Sequence, residues 1–116
     1  MAWFLKNFLK QIFLVMKVDL KANELVVKAG DSKFLNGKDV TGKLIVTNQS
    51  VYFIAKEQED KHYNLEILPE NIREVMPFNT FAIIPNGLNV VKKTGEELRF
   101  KVKNRSSWES LINKMY

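Results

Sequence analysis

The chain has 116 residues, 46% hydrophobic and 27% charged, the make-up of one folded domain rather than a disordered chain. It carries eighteen Lys and Arg against thirteen Asp and Glu, a net charge of +5. It has no cysteine and a single histidine, His62, which excludes disulfides, thiolate metal sites, a cysteine nucleophile and any two-histidine mechanism. No apolar run reaches the roughly eighteen residues of a spanning helix. Carboxylate, hydroxyl, lysine and arginine chemistry remain, and no grouping of them reads as catalytic. No phosphate-cradling glycine loop is present, and neither a metal nor a cofactor is expected.

Charge is uneven along the chain. Residues 1–56 hold nine basic and four acidic residues, 57–74 two and six, and 75–116 seven and three. Such a polarised body can be steered toward anionic partners, although a lysine-rich surface also serves plain solubility.

The first segment, 1–17, reads as an amphipathic helix. Phe4, Leu5, Phe8, Leu9, Ile12, Phe13, Val15 and Met16 share one half of the helical wheel. Lys6, Asn7, Lys10, Gln11 and Lys17 occupy the other, with Trp3 and Leu14 among them. Its continuous apolar core, Ile12 to Met16, is too short for a secretory signal, and no small-residue cleavage site follows. Lysines beside aromatics also suit a helix lying in a membrane interface. Trp3, Phe4, Lys6, Phe8, Lys10, Phe13 and Lys17 are therefore candidate membrane or partner contacts. The helix is expected to be buried against protein, at a contact between copies.

From residue 18 the period changes to two, and 18–116 reads as one domain. Glu24–Lys28 is a first strand, continuing through Ser32–Leu35 after an irregularity at Ala29–Gly30. Asn36-Gly37 is a turn. Gly42–Thr47 and Ser50–Lys56 flank a two-residue turn that pairs Val46 with Val51 and Leu44 with Phe53. Ile45, Tyr52 and Ile54 then share the outer face, an apolar landing site for the first helix.

Glu57–Lys61 reads as an acidic loop without calcium-loop spacing, and His62 as a surface residue. His62–Leu68 alternates as a strand that Pro69 ends, with Tyr63, Leu65 and Ile67 on one side. Ile72–Phe78 is the next strand. Thr80–Ile84 and Leu88–Lys92 flank Pro85-Asn86-Gly87, read as a turn. A three-residue loop, Lys93-Thr94-Gly95, pairs Val90 with Leu98 and Leu88 with Phe100. A two-residue loop would bury Asn89 opposite Phe100 instead, so burial selects the longer one. Arg99, Lys101 and Lys103 then form an outer basic row. Ser106, three residues before Glu109, is the expected cap of a last helix. Trp108, Leu111, Ile112 and Met115 lie on its apolar stripe.

Two antiparallel sheets are expected to pack through Leu44, Val46, Val51, Phe53, Leu65, Ile67, Leu88, Val90, Phe100 and Val102. Trp108 and Leu111 would close one end. The fold class is mainly β with α: a bent seven-stranded antiparallel sandwich or barrel capped by a C-terminal helix, plus the N-terminal helix.

That order, with the segments Gly42-Lys43-Leu44-Ile45-Val46-Thr47-Asn48, Val51-Tyr52-Phe53 and Gly95 through Trp108, resembles the PH-like superfold, within it GRAM and bacterial PH-like domains. The likeness covers residues 24–116. It implies a non-enzymatic module. Relatives bind phosphoinositides, other membrane lipids or proteins. Lipid sites in PH domains use a basic loop between the first two strands; here Asp31–Thr41 offers only Lys33 and Lys38, beside Asp31 and Asp39. The candidate anion contacts are Lys33, Lys38, Arg99, Lys101, Lys103 and Arg105.

Two functions compete. One is a module that binds protein, either a partner or a second copy of itself. The other is a peripheral module for anionic membrane lipid, using the first helix and nearby lysines. Nucleic acid is disfavoured because it would want aromatics exposed among Arg99, Lys101, Lys103 and Arg105, and Tyr52, the one candidate, lies on a different hairpin. The lysine-rich, cysteine-free composition suits a bacterial cytosol, and lipid binding would place the domain at the inner face of the membrane.

Overall fold

The computed structural model describes residues 20–116. The expected N-terminal helix, its candidate contacts and the boundary at residue 18 lie outside the described residues. Seven strands follow: β1 (Val26–Leu35), β2 (Asp39–Thr47), β3 (Val51–Ala55), β4 (Leu65–Ile67), β5 (Ile72–Thr80), β6 (Ile84–Lys92) and β7 (Glu97–Val102), then helix α1 (Arg105–Asn113). Short 3-10 turns span Gln58–Tyr63 and Pro69–Asn71.

The strands form one sheet in the order β4-β3-β2-β1-β7-β6-β5, and every described pairing is antiparallel. Two separate sheets were expected. β1 joins them, because its outer half pairs with β2 on one side and β7 on the other. All seven strands and α1 contribute to a single buried cluster. One face of one sheet can do this only by curling around its own side chains, so the body is a half-barrel plugged by α1.

Both expected hairpin registers hold. Val46 pairs with Val51 and Leu44 with Phe53. Val90 pairs with Leu98 and Leu88 with Phe100, and Gly95 has the left-handed φ of 94° that the three-residue loop needs. Phe100 is fully buried, whereas Arg99 is exposed.

Other boundaries differ, each for a local reason. β1 begins at Val26, runs unbroken to Leu35, and has its irregularity between Val26 and Lys28. β4 keeps only three residues, because Gln58–Tyr63 winds into a 3-10 turn. Thr80–Ile84 is not a strand of its own. Thr80 ends β5, Ile84 begins β6, and the chain reverses between them at Phe81-Ala82. Pro85-Asn86-Gly87 lies inside β6 and is no turn. Pro85 sits where β5 is irregular and before pairing with β7 begins at Gly87, so no ladder donor is lost. Gly87 is there for room: a Cβ would sit 2.6 Å from the Phe78 ring.

The cap of α1 is also different. Asn104, in left-handed conformation, precedes the helix, and its carbonyl accepts from Ser107 N and Ser107 Oγ. Trp108 and Ile112 are its buried pair, while Leu111 and Leu65 are only half-buried.

A polar network fastens the residues ahead of β1. Glu24, buried, accepts from Lys21 N at 2.7 Å, Thr47 Oγ1 at 2.5 Å and Tyr52 Oη at 2.9 Å. Burial and this carboxylate push the Tyr52 phenol well above its ordinary value. Lys21 Nζ and Ser50 Oγ both donate to Glu66. Burial alone would raise the Glu66 carboxyl, but these two donors outweigh it and hold it below its ordinary value. A lowered folded-state value means that Glu66 contributes stability in full above the unfolded value of about 4.3. That contribution is lost as pH falls through the folded value. Urea midpoints should therefore drop on the acid side, and Glu66→Gln should flatten that drop.

Candidate anion-binding face

Alternate residues of a strand share a face, so register decides which cations meet. On the outside of the half-barrel, Lys33 of β1 lies opposite Lys101 of β7 on one side and Thr41 of β2 on the other. Two positions along β1, Asp31 lies opposite Lys43. Lys56 and Lys103, just beyond the ends of β3 and β7, complete the set. These five lysines, with Asp31, Ser32 and Asn86, line an open groove of about 720 Å³.

Like charges placed side by side on a sheet repel. Two carboxylates relieve part of this: Asp31 receives Lys43 Nζ at 2.7 Å, and Asp39 receives Lys101 Nζ at 2.8 Å. The Lys43 hydrogen bond and charge, with Lys103 and Lys56 further off, hold the Asp31 carboxyl below its ordinary value. Lys33, Lys56 and Lys103 have no carboxylate within ion-pair distance among the described residues. The groove therefore keeps a surplus of positive charge.

Three of the six expected anion contacts, Lys33, Lys101 and Lys103, come together here. Lys38 and Arg99 line a second, shallower depression of about 400 Å³ between the β1–β2 and β5–β6 turns, and Lys101 borders both. Lys38 pairs with Asp60 at 2.9 Å. Arg105 instead donates to the Phe78 carbonyl at 2.6 Å and Asn79 Oδ1 at 3.1 Å, holding α1 to β5. Lys43 and Lys56 were missed. Their alternation was legible, but their meeting with β7 required the β1–β7 register.

One further expectation changes, that of Tyr52 as an exposed aromatic. Ile45, Tyr52 and Ile54 share the outer face but are buried, with Leu20, Val26 and Ala29 packed against them. Tyr52 is consequently no exposed aromatic among cations. His62 is exposed and packs on Tyr63. No group of three or more His, Asp and Glu among the described residues is placed to hold a metal ion.

No protein-family model matches the chain, and no curated protein matches it. Solved structures do match. One is the C-terminal domain of an unknown protein from Leishmania infantum, with a TM-score of 0.73, 12% identity, and 95% of each chain covered. A second is the Vps36 N-terminal PH domain, with a TM-score of 0.62, 13% identity, and 84% of this chain and 85% of that one covered. A third is the Slm1 PH domain in complex with phosphoserine, with a TM-score of 0.55, 13% identity, and 78% of this chain and 91% of that one covered. The fold is PH-like.

Proposed function

We propose that this chain is a non-enzymatic, GRAM-like peripheral module that binds anionic membrane lipid through the outer lysine groove, at the cytoplasmic face of a membrane. One observation carries the reading: Lys33, Lys56 and Lys103, free of carboxylate partners among the described residues, converge with Lys43 and Lys101 on one face. Phosphate-bearing headgroups are the chemistry that such a surface attracts. The Slm1 PH domain, of the same fold, has been solved with phosphoserine. The GRAM assignment rests on the Gly42–Asn48 and Gly95–Trp108 segments. The groove moves the lipid contact away from the β1–β2 loop, which explains why that loop can be poor in basic residues.

The test is sedimentation of the full chain with phosphatidylcholine vesicles, with and without phosphatidylserine. Each lysine near an anionic surface contributes about 1 kcal/mol. Lys33→Gln, Lys56→Gln and Lys103→Gln together should weaken binding to the anionic vesicles roughly a hundred-fold at low salt. Added salt should weaken the unmodified chain likewise. Stability should stay within about 0.5 kcal/mol, since all three side chains are at the surface. Equal binding to both vesicle types, or an unaffected triple variant, would refute the reading.

A further inference from the structure

The β5–β6 turn breaks the pattern of the other turns. Ile83 N donates to Thr80 O at 3.2 Å, closing a two-residue turn whose central residues, Phe81 and Ala82, have φ of 49° and 65°. Two consecutive left-handed residues are the geometry that Asn-Gly supplies without strain. Here the first position carries a phenyl ring. The other left-handed positions among the described residues are glycine, Gly37 and Gly95 in the β1–β2 and β6–β7 loops, or asparagine, Asn23 and Asn104. The turn also presents its apolar side chains to water: Phe81 is 81% exposed, Ile83 79% and Ile84 41%. Backbone strain and apolar exposure are both unfavourable for a domain surrounded by water alone.

The charge pattern supplies a second observation. Residues 75–91, which make up almost all of this hairpin, contain no charged side chain, in a chain that is 27% charged. Cations gather instead at the base. Lys101 Nζ lies 5.8 Å from the Phe81 ring, and the Arg99 guanidinium 5.7 Å from the Phe78 ring. Asn86, held by Thr80 Oγ1 at 2.6 Å, lines the lysine groove. The uncharged tip and the cationic groove are thus contiguous, with Lys101 at their junction.

We infer that the Phe81–Ile84 tip is a membrane-insertion finger, entering the boundary between headgroups and acyl chains of an anionic bilayer while Lys101 and the groove lysines meet the phosphates. An uncharged apolar tip with a cationic collar matches a bilayer that is apolar within and anionic at its surface. An acidic residue at the tip would oppose entry, and there is none between residues 75 and 91. The inference rests on the membrane reading above and adds the depth and orientation of docking.

The full chain is tested on phosphatidylcholine–phosphatidylserine vesicles, with two tip variants. Phe81→Trp, made in a chain that also carries Trp3→Phe, should show fluorescence quenching on vesicles brominated along the acyl chain that the Trp3→Phe chain alone lacks. Phe81→Ser with Ile83→Ser should weaken partitioning at least about ten-fold while keeping its salt dependence and thermal midpoint. If Phe81→Trp is unquenched and the double-serine variant binds as before, while the lysine triple variant still loses binding, the finger is wrong and the groove reading stands. If the unmodified chain binds neither vesicle type, both fall. An unquenched tip whose serine variant lowers the sedimentation mass in solution would make it a contact between copies and overturn insertion.

Discussion

Phe100→Ala should lower the free energy of unfolding by about 3–5 kcal/mol, the range for truncating a buried aromatic. Phe100 is fully buried on β7, opposite Phe34 of β1 and Leu88 of β6. Its ring stacks on Phe34 with centroids 5.2 Å apart and lies 5.8 Å from Phe53. Such pairs contribute about 0.5–1.5 kcal/mol beyond the area they bury. The three rings span β1, β3 and β7, so truncation opens a cavity where both halves of the curled sheet meet. Urea denaturation should show a lower midpoint. Phe100→Leu, which keeps most of the volume, should lose less. Arg99→Ala, one residue away and exposed, should change stability by no more than about 0.5 kcal/mol. A large loss from Arg99→Ala with a small one from Phe100→Ala would mean that the register of this hairpin is off by one residue.

Trp108→Ala should cost a similar amount, about 3–5 kcal/mol, for a different reason. Trp108 is the plug of the half-barrel. Its indole is 3% exposed and lies against β1 at Gly30, where a Cβ would come within 3.0 Å of Cζ2. Lys28 Nζ sits 4.9 Å over the ring. A helix of nine residues does not hold itself in water; its tertiary contacts do that. Removing the indole should therefore loosen α1 before the sheet. Hydrogen exchange should show α1 amides losing protection at denaturant concentrations where β6 and β7 remain protected. Trp108→Phe should retain part of the stability. A variant whose α1 amides stay as protected as those of β7 would show that Ile112 and the Arg105 hydrogen bonds anchor the helix without the indole.

Much of this protein follows from its sequence alone. The alternation of Leu44, Val46, Val51 and Phe53, and of Leu88, Val90, Leu98 and Phe100, determines two hairpin registers, because a shift of one residue would expose every apolar side chain in them. The apolar stripe of residues 105–115 likewise determines a closing helix that buries Trp108. These signals are local: a period of two or of 3.6 is written in neighbouring residues. Other features were decided only by the tertiary structure. Gly87 looked like a turn residue, yet it makes room for the Phe78 ring. Tyr52 looked exposed, yet it is buried against Glu24. The turn at Phe81-Ala82 carries none of the residues that ordinarily announce one. The groove lysines come from β1, β2, β7 and the end of β3, and they meet only because β1 pairs with β7, as in the bond from Ser32 Oγ to the Lys101 carbonyl across 69 residues. No local period encodes which distant strands become neighbours. That follows from how the whole apolar set closes over one core, and so the fold was largely legible in the sequence while the full lysine groove was not.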